Sequence, residues 1–303
     1  MDFTVCNATQ NRLDRHPCFN KHAQERYGRV HLPIARDCNV QCNYCDRRYN
    51  CVHESRPGVS CGLLEQDDIL PYLDTVLKRH SNIAVVGIAG SGDPFCNPVQ
   101  TMDIMRQIHQ AYPDLLLCLS TNGLNIVDYV DELGPAGVTH VTITINAVEP
   151  AIGQKIYAWM RIGETFYRGR EAATLLWTRQ QESLLKLKNC GITVKVNTVV
   201  IPGVNSDHIE TIAECLRNFE VDFMNCIPLY PVPDTLFGHI NAVTPSELAG
   251  IRLAVAKHIP LMRHCVRCRA DAVGLLHFDR FHEFEKLLNH QEVETMSKSC
   301  IMD

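Results

Sequence analysis

Residues 29–45 read RVHLPIARDCNVQCNYC. The first seven, RVHLPIA, form a short apolar run that predicts a strand. Three cysteines follow at once, Cys38, Cys42 and Cys45, in the spacing C-x3-C-x2-C. Zinc sites usually draw two ligands from each of two places and close with four. Three thiols on one loop suit a cubane [4Fe–4S] cluster whose remaining iron is open to a small molecule. Tyr44, just before the last cysteine, is placed to cover that cluster or its ligand.

The runs that follow decide the architecture. IAVVGIAG (83–90), LLLCLS (115–120), HVTITIN (140–146), ITVKVNTVV (192–200) and FMNCIP (223–228) are further strand candidates. Helical patterns separate them at 63–80, 98–112, 124–133, 169–189 and 206–218, with more at 245–257 and 280–289. The first contains a proline that predicts a kink or a split. Alternating strands and helices with near-continuous apolar strands imply a parallel sheet covered on both faces. The expectation is an α/β fold, a (β/α) barrel of about six strands, partial and with room for further closure. A 1–28 N-terminal arm, a 29–257 barrel and a 258–303 cysteine-bearing C-terminal segment divide the chain.

In such barrels reactive groups sit at the carboxyl ends of strands. The polar residues follow that rule: GSGDP (90–94), STNG (120–123), NAVEP (146–150), and Lys195 with Asn197 on the fifth strand.

Composition narrows the function. The chain has 303 residues, 46% hydrophobic, with 29 basic against 34 acidic side chains and a net charge of −5. That balance argues against a nucleic-acid or membrane-surface partner. No apolar run reaches the ~18–20 residues of a membrane span. The first residues lack a secretory signal's basic and apolar regions, so a cytoplasmic location is expected. Fifteen cysteines in that compartment point to metal or redox chemistry more than to disulfides.

C-x3-C-x2-C after the first strand of a (β/α) barrel resembles the radical S-adenosylmethionine (SAM) enzymes. The resemblance implies that the open iron chelates SAM and that an electron from the cluster splits it into a 5′-deoxyadenosyl radical. Further blocks narrow it: Cys51 with ESRPGVS, AGSGDP, CLSTNGL, TINAVEPAIGQKIYAW, VKVNTVVIPGVNSDHI and RHCVRCRADAVG. Together they are similar to the NifB family of nitrogenase cofactor maturases, from about Cys18 to Gly274. Two departures stand out. The family usually has GPGDP where this chain has GSGDP, and no residues remain for the NifX-like domain many members carry.

This resemblance implies a lyase-type maturase of nitrogen fixation that inserts a carbide. It would fuse two [4Fe–4S] modules into an [8Fe–9S–C] precursor, with SAM as both methyl donor and radical source. Three [4Fe–4S] clusters are implied in all. Cys38, Cys42 and Cys45 would hold the SAM-binding one. His31, Cys51 and Cys118 match the ligands of one substrate module, and Cys18, Cys265 and Cys268 those of the other. His31 is expected to be catalytic with the cysteine loop, as an imidazole that releases iron more readily than a thiolate. It lies seven residues before Cys38, up to roughly 23 Å of extended chain, so it is not expected to serve the same cluster. Gly90, Gly92 and Asp93 match the loop that takes the SAM amino group. Asn122, Asn146 and Asn197 are candidates for its ribose or carboxylate, and equally for turn chemistry. Glu54 and Arg56 are candidates for support around the clusters. Implied partners are an iron–sulfur cluster donor, a downstream carrier or scaffold and an electron donor. The alternatives are a radical SAM enzyme acting on an organic substrate and a non-catalytic cluster carrier. Cys118 alone also reads as a small buried hydrophobe, and Cys265-x2-Cys268 as half of a zinc site.

Overall fold

A computed structural model describes residues 13–46, 51 and 62–288. Its strands, in chain order, are Gly28–His31 (β1), Val40–Cys42 (β2), Ile83–Ile88 (β3), Leu116–Thr121 (β4), Val138–Thr144 (β5), Tyr157–Ile162 (β6), Thr165–Tyr167 (β7), Thr193–Val200 (β8), Phe223–Pro228 (β9), Val273–Leu275 (β10) and Phe278–Asp279 (β11). Each of the six predicted strands is present. They pair in parallel in the order β1-β3-β4-β5-β8-β9. Every residue of β3 and β8 is buried, because helices cover the outside and side chains fill the inside.

The helix Ile69–Arg79 shows how the covering works. It buries Ile69, Tyr72, Leu73 and Val76, the i, i+3, i+4, i+7 stripe of an amphipathic helix. The kink expected from its proline is absent. A 3₁₀ turn, Gln66–Asp68, precedes Ile69, so Pro71 falls in the first turn, where backbone N–H groups lack helical acceptors anyway. The predicted helix 169–189 is found with those bounds, as Gly169–Asn189.

The sheet is not closed as a ladder. Its ends are β9 on one side and the antiparallel pair β10–β11 beyond β1 on the other. Residues 260–275 span the opening. Met224 of β9 pairs with Leu261, its N–H donating to Pro260 O at 2.9 Å and its carbonyl accepting from Met262 N at 2.9 Å. The chain then crosses to β1, where Arg29 pairs with Gly274 and Val30 with Val273. Cys265 and Cys268 lie on this crossing loop.

Arg29 locks the crossing in place. Its guanidinium is 1% exposed and donates to Gly274 O at 2.7 Å, Leu275 O at 2.8 Å and Cys268 Sγ at 3.4 Å. Asp279 lies 3.6 Å away. Three sequence features went unread: the short helix Pro150–Ile156, the hairpin β6–β7, and the pairing of that hairpin with β2 inside the cysteine loop. Among the described residues no helix is long and apolar enough to cross a membrane.

Arg29→Met strips two buried carbonyls of their donor and should cost about 2–4 kcal/mol. Urea unfolding of the full chain under anaerobic, reducing conditions measures it. An unchanged midpoint would show that Arg29 does not hold the seam.

Candidate functional site

The cysteine loop leaves the carboxyl end of β1 and runs beside the glycine loop that follows β3. Ala35 O accepts from Gly92 N at 2.5 Å, Asp37 O from Asp93 N at 2.8 Å, and Ser91 O from Cys51 N at 3.0 Å. Gly90 has φ of 139°, a backbone conformation open to glycine. At the turn of the loop, Cys45 N donates to Cys42 O at 3.0 Å. Gln41 Nε2 braces it through Cys42 O and Cys45 O. Cys42 and Cys45 are buried, and Cys38 is partly exposed.

Asp93 joins the loops. Its carboxylate accepts from Phe95 N at 2.9 Å, Asn122 N at 2.6 Å and the Thr121 hydroxyl at 2.9 Å. It therefore fixes the loop after β3 to the loop after β4. Asn122 continues the link, with Nδ2 2.7 Å from Asn39 Oδ1 and 3.7 Å from Cys38 Sγ.

Two residues expected to meet a cofactor bond to each other. Tyr44 is fully buried in an apolar cluster with Leu124, Ile156 and Tyr157. Its hydroxyl accepts from Asn146 Nδ2 at 2.9 Å, so the ring anchors the loop from within. Burial pushes its phenol well above the usual value, helped by Cys42. Asn146 uses its other side-chain group to accept from Val199 N at 2.8 Å.

The remaining expected ligands converge elsewhere. Cys18, His31, Cys118, Cys265 and Cys268 all line one cavity inside the barrel. They arrive from four places: the N-terminal arm, the end of β1, the middle of β4 and the crossing loop. None is in a disulfide. Strand register explains the meeting. His31 pairs with Gly87, and Gly87 with Cys118, so the two side chains share a face two strand spacings apart, roughly 10 Å. Between them Gly87 offers no side chain. A Cβ there would lie 3.2 Å from His31 Cδ2 and 3.6 Å from Nε2.

His31 is held in one tautomer. Nδ1 lies 2.9 Å from the Arg269 carbonyl, an acceptor, so Nδ1 carries the proton and Nε2 the lone pair. Burial, with Arg29 nearby, lowers the imidazole to about 4, so the ring is neutral at neutral pH. Burial also pushes the Cys18 thiol up to about 12, against the pull of Lys195. Such a thiol gives up its proton when a metal replaces it. Lys195 is 6% exposed, with Nζ 5.2 Å from the centre of the Phe19 ring. Its positive charge lies in the same cavity as Cys18, Cys118, Cys265 and Cys268. Asn197 also borders the cavity and accepts from Asn225 Nδ2 at 3.2 Å.

The donors, four thiols and one imidazole, are of the kinds that ligate iron–sulfur clusters. Among the described residues no three Cys, His, Asp or Glu side chains are grouped to hold one metal ion. Cys51 is buried beside Ser91, four residues past Gly87, and is not among the cavity's lining residues. Glu54 and Arg56 lie outside the described residues. A cleft of about 380 Å³ opens near the starts of β4, β5 and β8, at the opposite end from the cysteine loop, and has no comparable donor set. Sequence reading missed His16 and Arg29. Gly87 inside an apolar strand was the available signal for the cavity, since a strand glycine often marks close approach by a ligand.

A barrel with three loop thiols at the end of its first strand defines a class, and residues 32–216 match the family model of the Radical SAM superfamily. The chain belongs to that superfamily. It is similar to the FeMo cofactor biosynthesis protein NifB of Chlorobaculum tepidum, 47% identical over 264 residues, 87% of this chain and 62% of that protein. NifB of Klebsiella pneumoniae is 42% identical over 290 residues, covering 94% and 62%. The chain thus spans about three-fifths of the length of these relatives. Methylornithine synthase (PylB) shares the fold at 13% identity and a TM-score of 0.51, over 86% of this chain and 77% of that one.

Gly87→Val fills the gap between His31 and Cys118. Reconstituted protein should lose about four irons, one cubane, and still cleave SAM. Full iron content in folded Gly87→Val would exclude a module between those two residues.

Proposed function

We propose that this chain assembles the carbide-containing [8Fe–9S–C] precursor of the nitrogenase cofactor from two [4Fe–4S] substrate modules. The observation that supports it most is the shared cavity: five of the six expected module ligands, all but Cys51, line one space. Fusion requires such proximity. Similarity to NifB proteins supports the same reading.

Cys38, Cys42 and Cys45 hold the resident cluster, which when bound supplies an electron to SAM through its open iron. Asp93 and Asn122 keep the glycine and asparagine loops in register around SAM, with Gly90 and Gly92 giving its amino group close backbone access. His31 and Cys118, together with Cys51, hold one module. Cys18, Cys265 and Cys268 hold the other. One SAM donates its methyl group to a module sulfide and leaves as S-adenosylhomocysteine. A second is cleaved to methionine and a 5′-deoxyadenosyl radical, which takes a hydrogen from that methyl. Further loss of hydrogens leaves carbide as the modules join, with one more sulfur supplied. The buried walls exclude water from the radical, and Lys195 balances the modules' negative charge. His31 gives one iron an exchangeable ligand while its module is rebuilt. A cluster donor, an electron donor and a downstream carrier complete the cycle in a reducing cytoplasm.

Anaerobic, reconstituted protein given dithionite and SAM should yield both S-adenosylhomocysteine and 5′-deoxyadenosine. 5′-Deoxyadenosine without methyl transfer would favour an organic substrate, and neither product would leave only a cluster carrier. Replacing Cys38, Cys42 and Cys45 with alanine should abolish 5′-deoxyadenosine while the other modules stay bound. Persistent product would refute that cluster assignment.

His31→Ala should fold, keep the resident cluster and make little eight-iron product. Normal product from folded His31→Ala would rule out the ligand role.

A further inference from the structure

We propose that His16 donates a hydrogen bond from Nε2 to a sulfide of the module carried by Cys18, Cys265 and Cys268, and so sets that module's reduction potential. The inference rests on the assignment of those three thiols to a module.

The geometry starts in the N-terminal arm. The amide of Cys18 donates to His16 Nδ1 at 3.2 Å. A ring nitrogen that accepts a hydrogen bond carries no proton, so the proton of this imidazole is on Nε2. His16 is 2% exposed, and its Nε2 has no partner among the described residues. A buried donor left without an acceptor is rare and calls for an explanation. The ring is clamped, with Phe19 edge-on at 4.6 Å and His140 tilted at 4.4 Å.

The direction of need is clear. His16 borders the cavity that holds Cys18, Cys265 and Cys268. Three other residues on that wall also bury a polar atom with no partner among the described residues: Arg29 Nε, Ser120 Oγ and Asn225 Oδ1. Unsatisfied atoms gathered around one cavity mark a polar occupant. A sulfide-rich anion with acceptors on every face meets the need of an N–H that cannot turn away. The arrangement is also local. The ligand's own amide fixes the ring, so donor and ligand keep their relative position. N–H···S bonds favour the reduced, more negative state of a cluster and raise its potential.

The test uses the full chain with Cys38, Cys42, Cys45, His31, Cys51 and Cys118 changed to alanine, so that only the Cys18 module loads. Iron and sulfide are reconstituted anaerobically, and the reduced cluster is titrated by electron paramagnetic resonance. His16→Leu should keep about four irons with a midpoint shifted to more negative potential. His16→Gln, which restores a side-chain N–H, should return the midpoint toward the parent value. Loss of iron in His16→Leu but not in His16→Gln would equally support the donor. An unshifted midpoint in loaded His16→Leu would overturn the proposal. So would loss of iron from both variants, which makes His16 a ligand or a packing residue. A parent protein that binds no iron would refute the module itself, and the proposal with it.

Discussion

The seam between β1 and residues 269–275 is the contact on which the remaining geometry depends. An open six-stranded parallel sheet has two free edges, and a cavity between them would be open to water. Here one length of chain meets both edges, through Leu261 at β9 and Val273–Gly274 at β1. It carries Cys265 and Cys268 across the gap. The Arg269 carbonyl orients His31, and Arg29 holds Gly274, Leu275 and the Cys268 sulfur. The bonds that close the barrel thus also position two of the expected ligand sets.

Charge explains why so much of this seam is polar. Arg29 and Lys195 are buried cations, and isolated they would be costly. Each lies in one cavity with thiols that would become anionic on binding a metal, Arg29 against Cys268 Sγ and Lys195 with Cys18. His264 adds a tie between the two ends of the chain, bonding Pro17 O at 2.9 Å beside both Cys18 and Cys265. On the proposed reading, charge, hydrogen bonding and metal binding are coupled in this cavity.

How much of this was legible depended on the range of the interactions. The six parallel strands were plain because a strand buried on both faces is an unbroken apolar run. The loop thiols were plain because Cys38, Cys42 and Cys45 are local in sequence. His31 and Cys118 were grouped only through the family resemblance, since the meeting across Gly87 arises from register between three strands. The bond between Tyr44 and Asn146 was hidden for a related reason: a polar group near a strand end reads as available until its partner, here the other of the two, is known. The β6–β7 hairpin was passed over although Gly163 separates two aromatic-rich segments. His16 could not be read at all, because its role depends on an amide two residues away and on burial.

The central claim is that two separate ligand sets each hold a substrate module inside one barrel. Iron and sulfide analysis of reconstituted full-length protein tests it most directly, comparing the parent with Cys18/Cys265/Cys268→Ala and His31/Cys118→Ala. The account predicts about twelve irons for the parent, three cubanes, and about eight for each variant. A parent saturating near four irons, or variants that lose none, would contradict it.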